Sequence, residues 1–138
     1  MADTIELEVV TPERQLVKEP VTEAQVPARE GYIGVLPGHA PLLSLLGSGP
    51  LTYTPKTGPR KVLAIHDGFV EVLPDRVTIL AETAQKPEEI DSGAAQEQLQ
   101  HGQKLWNEAG EDPEKYAHAN EVMAEAEAKL ESAGAGKH

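Results

Sequence analysis

The chain has no cysteine. Disulfides and thiolate metal sites are therefore excluded, and the redox compartment is left open. It also lacks any run approaching the roughly 18 consecutive apolar residues of a membrane-spanning helix. Hydrophobic residues make up 39% of the chain and mean hydropathy is −0.39, which predicts a soluble protein with no direct membrane insertion. The opening residues, Met1-Ala-Asp-Thr-Ile-Glu6, lack the charged-then-apolar layout of a secretory leader. Positive charge is scarce: 12 Lys and Arg stand against 23 Asp and Glu, a formal net charge of −11. Such a surface repels phosphate backbones and anionic lipid, so nucleic acid is not an expected partner.

The 138 residues suit one compact domain, or one domain with an appendage. The stretch from Gly31 to Leu51 organises the chain. It is apolar enough for a core, yet Gly or Pro interrupts it every few residues. Pro lacks an N–H and Gly loses the most backbone entropy, so a long helix is ruled out. Very short strands joined by tight turns fit it instead.

Before this stretch, Ile5, Leu7 and Val9 alternate with Glu6 and Glu8, the period of a half-buried strand. Short strands follow at Leu16–Glu19, stopped by Pro20, and at Val21–Val26, stopped by Pro27. After it, Leu51–Pro55 and Arg60–His66 flank a hairpin turn at Lys56-Thr-Gly-Pro59. Asp67-Gly68 reads as a second tight turn, leading into Phe69–Leu73. A last strand, Arg76–Ala81, follows Pro74-Asp75. About nine or ten short strands with frequent turn signals predict a sandwich or small barrel.

At Lys86-Pro87 the period changes. Either Pro87 opens a helical turn or Asp91 is an N-cap. Ala94, Ala95, Leu99, Gly102, Leu105, Trp106 and Ala109 recur at spacings of three and four and form one helical stripe. Gly110-Glu-Asp112 breaks it, Asp112 is a good N-cap, and Pro113 suits the first position of the next helix. Tyr116, Ala119, Met123, Ala126 and Leu130 make a second stripe. The fold class expected is α+β: a β-sandwich over residues 1–84, then an antiparallel two-helix hairpin over 85–138 with a disordered tail from Gly134. The stripes are mostly alanine. Burying a Leu contributes roughly 1.5–3 kcal/mol and Ala far less, so the hairpin should hold together weakly.

No catalytic or metal-binding constellation is legible. A metal site on strands would want ligands at His-x-His spacing. Of His39, His66, His101, His118 and His138, only the first two lie in the strand region, and neither has a neighbouring ligand. Ser44, Ser48, Ser92 and Ser132 are not in a nucleophile setting. Gly134-Ala-Gly-Lys137 lacks the strand and helix of a phosphate loop. No cofactor is called for. The residues by themselves read as an adaptor or regulator, with a free-standing β-sandwich ligand-binding module or enzyme as the alternative.

One motif is more specific. Gly31-Tyr-Ile-Gly-Val-Leu-Pro-Gly-His-Ala-Pro-Leu-Leu43 closely resembles the Gly-x-(Ile/Leu)-Gly-(Ile/Val)-x-Pro-x-His-x-Pro-Leu-Leu of the ε subunit family of F-type ATP synthases. Asp67-Gly-Phe-Val-Glu-Val72, Val77-Thr-Ile-Leu-Ala81 and Ile90-Asp91 follow in that family's order, so the likeness covers nearly the whole chain. The resemblance implies a non-catalytic rotor subunit, peripheral on the cytoplasmic or stromal face of an energy-transducing membrane. It implies a sandwich that grips the γ subunit and rests on the c-ring. Glu30, Tyr32 and His39 would face the c-ring. The helical hairpin would fold on the sandwich, or extend toward the α and β subunits and inhibit ATP hydrolysis.

Two departures from that pattern stand out. Family members that bind ATP carry Ile-Asp-x-x-Arg-Ala; here Ile90 and Asp91 match, but Ala94 replaces the arginine. The phosphate-neutralising guanidinium is gone, and ATP binding in the millimolar range or weaker is expected. In the last helix Glu114, Glu121, Glu125, Glu127 and Glu131 outnumber Lys115 and Lys129, so electrostatic clamping on an acidic partner is not expected.

Overall fold

The computed structural model describes residues 3–135. Seven strands come first: β1 (Ile5–Val10), β2 (Gln15–Ala28), β3 (Gly31–Val35), β4 (Leu42–Leu45), β5 (Ser48–Pro55), β6 (Lys61–Val72) and β7 (Arg76–Gln85). A single 3-10 turn at Pro87–Glu89 then leads into α1 (Ser92–Glu108) and α2 (Pro113–Ala135). The helix expected to fray at Gly134 continues to Ala135, and the rest of the expected tail lies outside the described residues.

The strands close on themselves. β1 pairs with β7, β7 with β6, β6 with β5, β5 with β2, and β2 returns to β1. Pairings are antiparallel except β1 with β7, which run parallel. Two long strands serve both layers of this flattened ring. The first half of β2 pairs with β1 (Ile5↔Val21) and the second half with β5 (Ala24↔Tyr53), with a bulge between Val21 and Glu23. The first half of β6 pairs with β5 (Ser48↔His66) and the second with β4 (Leu45↔Phe69). Such bent strands are how a sandwich turns its corners.

Those corners correct the strand count read from sequence. Pro20 and Pro27 do not end strands; both lie inside β2. Each falls where one partner strand gives way to another or the pairing loosens, so the missing N–H is tolerated. Nor is Asp67-Gly68 a hairpin turn. β6 continues through it and keeps its register with β7, from His66↔Thr83 to Gly68↔Ala81. Asp67 (φ 61) and Gly68 (φ 122) both take left-handed conformations, so the pair kinks the strand. The residue types were turn-like because the backbone needs the same torsions at a kink.

The core follows the alternation. Ile5, Leu7 and Val9 from β1 meet Val21, Val26, Leu51, Ile65, Val70 and Ile79, all essentially without exposed surface. The helices add a second layer of contact. Asp91 caps α1 by accepting a hydrogen bond from the Ala94 N–H at 3.0 Å, while Pro87 opens the preceding 3-10 turn, so both sequence signals are used. Gly110 (φ 64) reverses the chain, and Asp112 accepts from the Glu114 N–H at 3.0 Å at the start of α2. In the hairpin Ala95, Gly102, Ala109, Ala119 and Ala126 are buried, whereas Ala94 and Trp106 of the expected stripe are exposed. α2 also lies across β5 and β6, so the hairpin packs on the sandwich as well as on itself.

Candidate interaction surfaces

The sandwich presents one apolar row to solvent. Cross-strand register places Leu45 beside Phe69, Phe69 beside Leu80, and Leu80 beside Val10. Phe69 and Leu80 are each 52% exposed, and Leu43, two residues along β4 on the same face, is 70% exposed. Their neighbours Val70 and Ile79 point inward and are fully buried. A contiguous apolar row across four strands is the kind of surface that meets a protein partner. Its signal was present in the sequence: Phe69 and Leu80 occupy outward positions of otherwise alternating strands.

The opposite layer carries α2. His66 on β6 contacts the Ser48 hydroxyl through Nδ1, and its Nε2 lies 3.8 Å from Glu125 Oε2 on α2. Lys129 reaches the same carboxylate at 3.2 Å and donates to Gln98 Oε1 of α1 at 3.1 Å. A polar chain thus runs from sandwich through α2 to α1. The rest of this contact is small or polar: Ala124 and Ala128 face the sandwich, and Gln85 Oε1 and the Ser132 hydroxyl are buried without hydrogen-bond partners. Beside it Arg29 pairs with Asp67 at 3.2 Å. Burial works to raise the Asp67 pKa and is the largest single influence. The Gly68 N–H and Arg29 together outweigh it, and the carboxyl lies below the usual carboxylate range.

The linker is pinned separately. Arg14 of the β1–β2 turn holds Glu89 at 2.8 Å, and Glu89 also accepts from the Lys86 N–H at 2.8 Å. Hydrogen bonding from Arg14, then from that backbone N–H, pushes the Glu89 carboxyl down to about 2.

The three residues singled out for the c-ring do not form one cluster. Glu30 lies in the β2–β3 turn and Tyr32 at the start of β3, and both are exposed. Tyr32 points its hydroxyl at Gly49 of β5; burial, then the Glu131 charge on α2, raise its pKa. His39 lies past the other end of β3, in a loop tied down by the Gly38 N–H donating to the Pro74 carbonyl at 2.8 Å. Its Nδ1 is 2.6 Å from the Ala40 carbonyl. At Ile90-Asp91 the carboxylate is committed to the helix cap, and Ala94 presents an exposed methyl group where the motif has arginine. Among the described residues no cluster of three or more His, Asp or Glu could hold a metal ion, and no helix is long and apolar enough to cross a membrane.

A closed β-sandwich with an apolar outer row and a helical hairpin docked on its other face defines an interaction module. Residues 4–87 match the family described as the β-sandwich domain of the ATP synthase delta/epsilon chain. The chain is 52% identical over 135 residues to the ATP synthase epsilon chain of Solibacter usitatus, covering 96% of this chain and 98% of that one. It is 55% identical over 97 residues to the epsilon chain of Koribacter versatilis, covering 70% and 68%. In fold it is similar to a chain of the Euglena gracilis mitochondrial ATP synthase F1/c-ring structure, with a TM-score of 0.79 at 24% identity over 100% of this chain and 84% of that one. The chain belongs to the ATP synthase epsilon-chain family.

Proposed function

We propose that this chain is a non-catalytic central-stalk subunit of a rotary, proton-translocating ATP synthase, held at the membrane by its partners. The observation that carries the reading is the apolar row Leu45–Phe69–Leu80, which supplies a docking face for the γ subunit. A rotor component must transmit torque without slipping, and an apolar row fixed on three hydrogen-bonded strands is a rigid contact. Glu30 with Tyr32 at one end of β3, and His39 past the other, are the proposed c-ring contacts. The docked hairpin is the resting arrangement of a regulatory element that reaches the α and β subunits when it is released. ATP is not a tight ligand of Ile90-Asp91 in this reading, because Ala94 brings no charge to the phosphates.

The test is assembly. Phe69→Glu with Leu80→Glu changes only outward side chains, so the isolated variant keeps its amide spectrum. It is expected to lose co-purification with γ and the coupling of ATP hydrolysis to proton pumping. A double variant that assembles and couples normally overturns the assignment of this face.

A further inference from the structure

A cavity of about 680 Å³ opens at the seam of the sandwich, beneath the linker to the helices. Its origin is topological. β2 leaves β1 to join β5 near Val21, so below the Val21↔Pro55 pair the first half of β2 and the strands β5 and β6 diverge. Leu16, Val17, Leu63 and the Tyr53 ring form apolar walls continuous with the core. Lys86, Pro87 and Glu88 of the linker complete the site.

The mouth carries Arg60, Lys61 and Lys86 against Glu19 and Glu88. That is three of the 12 cations of a chain whose net charge is −11. Lys61 is taken up by Glu19 at 3.6 Å. Arg60 donates to the Thr52 hydroxyl at 2.8 Å, and among the described residues neither it nor Lys86 has a carboxylate within ion-pair distance. Tyr53 is only 3% exposed, and nothing among the described residues hydrogen-bonds its hydroxyl. Burial, then Glu19 and Glu88, push the phenol up to about 12. At neutral pH the phenol keeps its proton and can donate.

We propose that this seam cavity binds a small amphipathic anion, an unbranched apolar tail ending in a carboxylate. The tail lies against Leu16, Val17 and Leu63, and the carboxylate accepts from Arg60, Lys86 and the Tyr53 hydroxyl. Apolar walls with a few convergent polar groups are the usual make-up of a small-molecule site. An acceptor-only head meets donors without leaving any of its own donors unpaired. The site is read from the cavity alone and does not depend on the rotor assignment.

Decanoate, decanol and decyltrimethylammonium are the probes, titrated into the full chain by calorimetry and amide NMR. Decanoate is expected to bind saturably at one site, with shifts at Tyr53 and Leu63, and at least ~10-fold more tightly than either other probe. Arg60→Gln with Lys86→Gln, both exposed in the free chain, should weaken decanoate ~10-fold or more, while Lys104→Gln leaves it unchanged. No saturable binding, equal affinity for decanoate and decanol, or an unaffected double variant overturns the proposal. If the double variant fails to fold, the decanoate-to-decanol ratio on the parent chain decides.

Discussion

Among the described residues His66 and Glu125 make the only His–carboxylate approach between the sandwich and α2, Nε2 to Oε2 at 3.8 Å, with side chains 13% and 25% exposed. Around it α2 brings Ala124 and Ala128 with the polar Asn120 and Glu121, and Gln85 Oε1 and the Ser132 hydroxyl are buried without hydrogen-bond partners. The hairpin therefore docks with little apolar gain, and a polar contact carries weight it would not have in a leucine-rich interface. Glu125→Ala should weaken docking by about 0.5–1 kcal/mol, the range of partly exposed pairs. Hydrogen exchange of α2 amides should rise about two- to five-fold. Unchanged exchange would show that this contact does not hold the helix.

Gly68 is where the strand kink is most sensitive. A Cβ there would lie 2.0 Å from the Leu80 carbonyl oxygen and 3.0 Å from Ala81 Cα, at φ +122°. Backbone on β7 cannot move aside without breaking the ladder. Gly68→Ala should cost about 2–4 kcal/mol in urea unfolding, combining strain and clash. A loss below about 0.5 kcal/mol would mean the kink relaxes freely.

Within the hairpin, Gly102 permits the helices to approach. A Cβ on it would stand 2.5 Å from Met123 Cγ and 3.2 Å from the Met123 nitrogen. Gly102→Val should force α1 off α2 while the sandwich spectrum stays intact. Retained α1 protection in that variant would show that Met123 can repack.

The Arg14–Glu89 contact sets an acid limit for the linker. The folded carboxyl sits at about 2 against an ordinary 4.5. Its stabilising contribution is thus complete above pH 4.5 and is lost as pH falls toward 2. A side-chain carbon titration of Glu89 should show a midpoint near 2 that climbs toward the ordinary value in Arg14→Ala. An ordinary midpoint in the parent chain would remove the pair from the solution structure.

Every member of the main core cluster lies between Ile5 and Ala84. A chain ended after Lys86 should therefore fold alone, at reduced stability because β5 and β6 lose their cover from α2. A dispersed amide spectrum checks this; a collapsed one would make the helices part of the folding unit.

The half-buried strands and the start of the second helix were legible in the sequence because they depend on local signals; for the first helix Pro87 and Asp91 stood as alternatives, and both are used. Ile5, Leu7 and Val9 alternate, and Asp91 and Asp112 are caps whose chemistry is complete within three residues. Prolines inside β2 and the Asp67-Gly68 kink were not, because their meaning depends on which strands lie alongside. Asp-Gly supplies left-handed torsions to a hairpin or to a bend, and only β7 running past it without a register break distinguishes the two. The apolar row needed pairing register, since Leu45, Phe69 and Leu80 are scattered in sequence. Tyr32 and His39 are close in sequence, but Tyr32 stands at the start of β3 and His39 lies beyond its other end.

The return of β2 to β1 has a mechanical consequence. Peeling a sheet starts at a free edge, where hydrogen bonds break one at a time. Here β1, β7, β6, β5 and β2 form a continuous loop, leaving β3 and β4 as the side strands. A twisting load on the five-strand loop has to stretch many backbone bonds together, so the body responds as a stiff torsion element. Compliance is left to the short connection between Gln85 and Ser92, whose Arg14–Glu89 clasp is exposed to solvent.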